Sequence, residues 1–566
     1  MTLGRLGLLG GVLVGLLAGC GGDDASSSDM GPAVFVEDSN RATGGSGGSG
    51  PKGPPSDYGG SGHAAGSGSW NGGGSSSTGG GSGGTGQSGE IGGTSAAAGT
   101  GNSAGTGNAG DGGAAGEGGE AGSAGAGGDV VCPGVDLSQP TTLYLSADDS
   151  NSMASAALAR GMIRNGKTPP AQIIRPYEFL NYYNVAYEAP AKGQINLVPQ
   201  MRPGKMKGEY DLQIGVQSAK PDAVRRPMNL TLVLDTSGSM QGMPMTLMLA
   251  AGKALASQLQ SGDIVSVTTW NTQSNVALSG HVVQGPNDPK LLSVLVSMQA
   301  GGGTDLHSGL VNGYELARKH YAESRTNRVV VISDGMANVG VTDEQMIGKE
   351  ADIENKEGIY LVGVGVGDGV NDTLLNVVTD AGNGAYLYLD SVAEAKHMLA
   401  DRFDEVVEIA ARNVQVSMTM PSYFSIVKFS GEQYSTDPSK VKPQHLAPGD
   451  AMVISQTLRA CSPSLVVPED PIRFKASWVD PGSWLQKSVE VDSTVGEIQA
   501  QGDAQLRRGL AIVAYAEALK KGQTCFNRQS FVQDVLDAAD AADPEKKDPA
   551  LLEIRELVTA FGDLCP

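Results

Sequence analysis

Between 228 and 413, short runs of aliphatic and β-branched residues recur with helical stretches between them, and that alternation leaves few folds open. Leu230-Thr231-Leu232-Val233-Leu234, Ile264-Val265-Ser266-Val267-Thr268, Arg328-Val329-Val330-Val331-Ile332, Ile359-Tyr360-Leu361-Val362-Gly363-Val364 and Ala385-Tyr386-Leu387-Tyr388-Leu389 read as buried strands. Helices are expected over 245–260, 306–323, 343–356 and 392–411. Strands apolar on both faces and separated by helices imply a doubly wound α/β domain: a largely parallel sheet covered on both sides.

The rest of the chain divides around that domain, which is placed at 227–412. Gly accounts for 82 of the 566 residues and aromatic residues for only 5%. Much of that imbalance falls in 20–130, a Gly/Ser/Ala-rich stretch with repeats such as Gly44-Gly45-Ser46-Gly47-Gly48-Ser49. Such a segment cannot bury enough apolar surface to offset chain entropy, so a disordered tether is expected. A Gly-rich coil of this length has an r.m.s. span of roughly 55–60 Å. The accessory region 131–226 mixes strand-like runs, among them Thr142-Leu143-Tyr144-Leu145, with helical patterns over 150–165 and 174–183. In 413–498 the period returns to two, as in Val414-Gln415-Val416-Ser417-Met418, which indicates a β-rich region. The segment 499–566 is helical. Neither flanking region has enough strands for a sandwich of its own, so the two are expected to pair in one sandwich into which the α/β domain is inserted.

Residues 1–19 carry Arg5, an apolar run over 6–17 and then Leu17-Ala18-Gly19 before Cys20, which reads as a signal peptide. Leu17-Ala18-Gly19-Cys20 resembles the lipobox of bacterial lipoproteins, which implies lipidation of Cys20. Gly21, rather than Asp, resembles the form sorted to the outer membrane. The expected location is therefore that of an outer membrane lipoprotein facing the periplasm or the cell surface. No other apolar run approaches the ~20 residues needed to span a bilayer, so attachment would be through lipid alone. Cys132, Cys461, Cys525 and Cys565 remain, an even number in an exported chain, and two disulfides are expected. Three pairings are open. The placement of Cys525 and Cys565 in the helical segment, and of Cys132 and Cys461 beside strands, favours 132–461 with 525–565.

The first strand of the α/β domain ends in Asp235-Thr236-Ser237-Gly238-Ser239, with oxygen-bearing side chains at alternate positions that point to one side of an extended segment. Gly301-Gly302-Gly303-Thr304-Asp305 offers another hydroxyl before a helix, and Ile332-Ser333-Asp334-Gly335 ends a second strand with a carboxylate. All three lie at the carboxyl ends of strands or in the loops above them, where open α/β sheets place their ligand sites. Hard oxygen donors in this number suit Mg2+ (or Mn2+), and neutral hydroxyls among them would leave the ion with positive charge to attract an outside carboxylate.

These three motifs, in this order, resemble the metal-ion-dependent adhesion site (MIDAS) of von Willebrand factor type A domains. The resemblance implies direct contact with the ion by the hydroxyls of Ser237, Ser239 and Thr304, with Asp235 and Asp334 acting through water or hydrogen bonds. It implies a protein partner that offers an acidic side chain. Arg175-Pro176-Tyr177-Glu178-Phe179-Leu180-Asn181-Tyr182-Tyr183 extends it to a bacterial subgroup, many of them lipoproteins, with an extra N-terminal region and a C-terminal domain of unknown function.

Rival functions find less support. Net charge is -21, from 40 Lys plus Arg against 61 Asp plus Glu, which opposes binding to nucleic acid. His63, His281, His307, His320, His397 and His445 are scattered and form no zinc or protease spacing. His307 reads as a first-turn helix residue rather than a catalytic base, and Ser237 has no recognisable His and acid partners, so the chain is not expected to be an enzyme. Gly363-Val364-Gly365-Val366-Gly367 reads as a strand end rather than a dinucleotide turn. The expected function is a lipid-anchored, divalent-metal-dependent protein-binding module of the bacterial cell envelope. The alternative is a metal-independent scaffold or assembly factor for an envelope complex.

Overall fold

The computed structural model describes residues 132, 134–336, 358–382 and 384–565. The expected signal peptide, the expected lipidation site Cys20, the expected tether and the helix expected over 343–356 lie outside the described residues. Ahead of the α/β domain come strand β1 (Thr141–Ser146), helices α1 (Ala154–Arg164) and α2 (Pro176–Tyr183), and strands β2 (Ile195–Pro203) and β3 (Glu209–Ser218). The domain itself contains β4 (Met228–Asp235), α3 (Met243–Gln258), β5 (Ile264–Trp270), β6 (Ser274–Val282), α4 (Pro289–Val296), α5 (Leu306–Lys319), β7 (Thr326–Ser333), β8 (Tyr360–Val366), α6 (Asp372–Ala381), β9 (Tyr386–Leu389), α7 (Val392–Lys396) and α8 (Phe403–Val407).

The central sheet has the order β6-β5-β4-β7-β8-β9. Every neighbouring pair is parallel except β5 with β6. All residues of β4 and β7 are buried, as two-sided coverage requires. Alternation divides them: Leu230, Leu232, Leu234, Val330 and Ile332 pack on the α3 side, while Val233, Val329 and Val331 pack with Leu310 and Tyr314 of α5. The edge strand β6 is largely exposed or half-buried, and so escaped the apolar pattern. Gly363 and Gly365 lie within β8, and a Cβ on Gly363 would come within 2.4 Å of Thr379 Cγ2 on α6. These glycines permit close helix–strand packing.

The single helix expected over 392–411 is interrupted. A π-helical turn at His397–Asp401 separates α7 from α8, and strand begins at Ala411. Arg402, with φ -108° and ψ 24°, ends the turn, donates to Glu405 in α8 and reaches out of the domain to the Tyr182 carbonyl of α2. The extra residue keeps Met398, Leu399, Phe403, Val406 and Val407 all in the core while turning Arg402 towards the N-terminal helices.

After the domain come β10 (Ala411–Met420), β11 (Phe424–Phe429), β12 (Gln433–Ser435), β13 (Gln444–Leu446), β14 (Ala451–Ala460), β15 (Pro471–Val479) and β16 (Gln486–Thr494). They are followed by helices α9 (Val495–Gln499), α10 (Ala504–Lys521), α11 (Cys525–Ala542) and α12 (Pro549–Asp563). Two antiparallel sheets share one apolar core: β12-β1-β10-β15-β16, with β13 also on β10, and β11-β14-β3-β2. Strands from before and after the α/β domain therefore pair directly, β1 with β10 and β3 with β14, and the domain is an insertion between them. A Cys132–Cys461 disulfide joins the two halves of the sandwich across 329 residues.

Helices α1 and α2 form a separate core with α10, α11 and α12, and α1 covers edge strand β9, where Met153 N donates to Tyr386 O at 2.8 Å. Arg160 of α1 is 5% exposed and bonds Asp390 at 2.6 Å and Glu394 at 2.8 Å. Cys525–Cys565 ties the start of α11 to the end of α12. Among the described residues no helix is long and apolar enough to cross a membrane.

Candidate metal centre

Parallel pairing of β4 with β7, in register from Met228 with Thr326 to Leu234 with Ile332, brings Asp235 and the Ser333-Asp334 pair to the same end of the sheet. Asp235 is fully buried and both its oxygens are engaged: Oδ1 accepts from Ser237 N at 2.8 Å and Oδ2 from Ser333 Oγ at 2.7 Å. Burial pushes its carboxyl up to about 6 against these hydrogen bonds, and the charge of Asp334 adds to the rise. Asp334 is 4% exposed and accepts from Met336 N at 3.1 Å, while its carbonyl accepts from Asn371 N at 2.8 Å.

After Asp235 the chain leaves the sheet in a short 3-10 turn, Gly238–Met240, that places the Ser237 and Ser239 hydroxyls 3.1 Å apart. Ser237 is buried and Ser239 exposed, so the pair opens to solvent from one side. Thr304, 1% exposed, belongs to a loop tied to this turn: Gly301 N donates to Thr236 O at 2.8 Å and Gly238 N to Gly302 O at 3.1 Å. Gly302 has φ +89°, and a Cβ there would come within 2.9 Å of Thr272 Oγ1. The glycines of this loop let two backbones meet where side chains would hold them apart. All five oxygen-bearing residues singled out in the sequence thus border one end of the sheet.

Ser333 was missed in the sequence, although its position beside Asp334 in Ile332-Ser333-Asp334-Gly335 was a signal; it orients Asp235 and its Oγ also accepts from Gly335 N at 2.8 Å. The Asn271-Thr272 corner was missed as well. It supports the Thr304 loop, with Gly303 N donating to Thr272 Oγ1 at 2.7 Å and Asp305 N to Asn271 O at 2.8 Å. Asp305 caps α5 by accepting from Ser308 N, and His307 sits half-buried in the first turn of that helix.

The residues suit a hard cation. For Mg2+ bonded at 2.0–2.1 Å, adjacent octahedral ligands lie about 3.0 Å apart, close to the separation of the Ser237 and Ser239 oxygens. A buried carboxylate beside a second one is also a place where a cation would relieve unfavourable charge. Among the described residues no group of three or more His, Cys, Asp or Glu could hold a metal ion, and the donor set here is two carboxylates with three hydroxyls.

Residues 229–401 match the family model for the von Willebrand factor type A domain. The chain is 25% identical over 279 residues to the uncharacterized protein YfbK of Escherichia coli (strain K12), covering 47% of this chain and 48% of that protein. It is 26% identical over 228 residues to the uncharacterized protein sll0103 of Synechocystis sp. (strain ATCC 27184 / PCC 6803 / Kazusa), covering 40% and 53%. The chain thus spans about half the length of the curated relatives it matches. A solved structure, von Willebrand factor type A from Catenulispora acidiphila, aligns with 67% of this chain and 90% of its own at a TM-score of 0.40 and 13% identity.

Proposed function

We propose, for a chain whose centre is a von Willebrand factor type A domain, a divalent-metal-dependent protein-binding module held at the bacterial cell envelope by lipidated Cys20. The domain type itself points to protein interaction or adhesion. The observation that carries the metal-dependent reading is the Ser237–Ser239 hydroxyl pair at 3.1 Å above the buried Asp235 carboxylate. Ser237, Ser239 and Thr304, with Asp235 and Asp334, would hold Mg2+ (or Mn2+), which when bound supplies an electrophilic centre with room for a partner's carboxylate. Asp235 anchors the Ser237 amide, and Ser333 orients Asp235, so the turn is held before any partner arrives. Met336, 47% exposed and donating its N–H to Asp334, offers apolar surface beside that carboxylate. The protein carries no enzymatic activity on this reading, and the lipid anchor places it at the outer membrane.

The test is thermal unfolding of the full chain with Mg2+, Mn2+, Ca2+ or chelator, beside Asp235→Ala and Thr304→Ala. At a hundredfold excess over its dissociation constant, a bound ion stabilises the native state by ~2.7 kcal/mol. Stabilisation by Mg2+ or Mn2+ that disappears in both variants supports the reading. If no ion stabilises the protein and direct titration finds no binding, the metal-independent scaffold takes its place.

A further inference from the structure

The opposite end of the central sheet has a different chemistry. Arg226, Arg325, Arg328 and Arg412 converge there on a cavity of about 110 Å3 that Tyr360, Trp484 and one acidic residue, the exposed Glu323, also line. Arg328 and Asp334 lie six residues apart on one strand, so roughly 20 Å separates this cavity from the metal centre. Two of the arginines are engaged in structure: Arg325 Nη1 donates to Met228 O at 3.0 Å and Gly262 O at 2.9 Å, and Arg226 faces Glu408 at 3.8 Å. Among the described residues, Arg328 and Arg412 have no carboxylate at ion-pair distance. Arg328, 5% exposed, donates Nη1 to the adjacent Asn327 carbonyl at 3.1 Å and lies 5.1 Å from the Tyr360 ring. Arg412 lies between Tyr360 at 5.2 Å and Trp484 at 4.2 Å, and its Nε and Nη1 are shielded from solvent without an acceptor among the described residues.

Leaving buried charged donors unpaired costs several kcal/mol at most sites, and the surroundings register the excess charge. Burial, opposed by Glu408 and reinforced by Arg412, pushes Arg328 down to about 10. Burial, with Arg412 and Arg328, pushes His445 down to about 3. The backbone around the cavity is also unusual. Asn413, next to Arg412 at a bulge in β10, has φ 51°, and Trp484 has φ 57°, a conformation that a bulky side chain seldom adopts. Local strain of this sort gathers where a geometry is held for a ligand. The cavity is smaller than the ~300 Å3 at which pockets for drug-sized ligands begin, and large enough for several waters.

We propose that this cavity binds a small oxoanion, the carboxylate or phosphate group of a ligand, through Arg328 and Arg412, with Trp484 as its outer wall. Arg328 belongs to the α/β domain and Arg412 and Trp484 to the sandwich, so the anion would bridge the two across the 408–412 crossing. This site is independent of the metal-centre reading.

The experiment is calorimetric titration of the full chain, in EDTA throughout, with sodium phosphate and with sodium acetate against sodium chloride at matched ionic strength, alongside tryptophan emission. Saturable binding of phosphate or of acetate is expected, with an emission change that is absent in Trp484→Phe and an affinity loss of more than tenfold in Arg412→Gln. Phosphate alone saturating identifies a phosphorylated ligand, and acetate saturating identifies a carboxylate. Should Arg412→Gln fail to fold by circular dichroism, the half-exposed Arg226→Gln serves in its place, with an expected loss of about two- to fivefold. Phosphate and acetate indistinguishable from chloride, or saturable binding unaltered in the folded variant, would overturn the proposal.

Discussion

The two ends of strand β7 carry opposite chemistry. Its C-terminal end delivers Ser333 and Asp334 to a cluster of hydroxyls and carboxylates, and its N-terminal end delivers Arg328 to a cluster of guanidiniums. The first end is assembled by loops of the α/β domain alone. The second is complete only because β10 and the β15–β16 hairpin of the sandwich close over the bottom of the sheet. One strand therefore serves a site internal to the inserted domain and another that depends on how the insertion is seated.

The largest effect that separates the two ends should come from the sandwich staple. Replacing Cys132 and Cys461 together by Ser is expected to cost about 2–5 kcal/mol in denaturant unfolding. The increment expected from Mg2+ should remain, since the staple belongs to the sandwich and the five proposed ligand residues to the α/β domain. Loss of the Mg2+ increment in that variant would show that the metal end also leans on the sandwich.

Protonation should divide the ends next. Asp235 is held at about 6 in the folded chain, above the ordinary carboxylate value, so the folded state binds the extra proton. Its contribution in chelator is fully present below pH ~4 and is lost as pH rises through about 6, by up to about 3 kcal/mol. Asp235→Asn should flatten that segment of the stability–pH curve, and saturating Mg2+ should reverse its slope by favouring the ionised form. At the arginine end His445, pushed to about 3, stays neutral and the guanidiniums stay charged over the same interval. Anion affinity measured between pH 5 and 8 should accordingly follow only the ionisation of the anion itself.

Ser333→Ala tests the support beneath the metal centre, because it removes the donor to Asp235 Oδ2 and leaves all five proposed ligand residues in place. Mg2+ affinity by direct titration should fall about 10- to 100-fold. A smaller effect, about 0.5–1 kcal/mol, is expected from Trp484→Ala, which removes an exposed ring from Arg412. Denaturant midpoints should register that loss while Mg2+ affinity stays unchanged.

The residues that announced themselves in the sequence were those whose signal is local. Asp235, Ser237 and Ser239 lie in one turn, and β4, β5, β7, β8 and β9 carry apolar runs because helices cover both faces of most of the sheet. Of the strands that were not anticipated, β6, β11, β12 and β16 sit at sheet edges with mostly exposed and half-buried positions, where little apolar content is demanded, and β13 is only three residues long. The interruption in the helix after β9 was hidden because 392–411 has helical composition throughout, and the break answers to Arg402 reaching α2, far away in sequence.

Residue order in the chain was enough to establish the α/β class and the order of the Asp235–Ser239, Thr304 and Asp334 motifs, because periodicity and a five-residue turn are short-range properties of a backbone. Packing alone established that Ser333 orients Asp235 across two strands, and that Arg328 and Arg412, 84 positions apart, share one cavity. Those contacts arise from strand register and from the seating of one domain on another, where many weak interactions act together and no local pattern records the outcome.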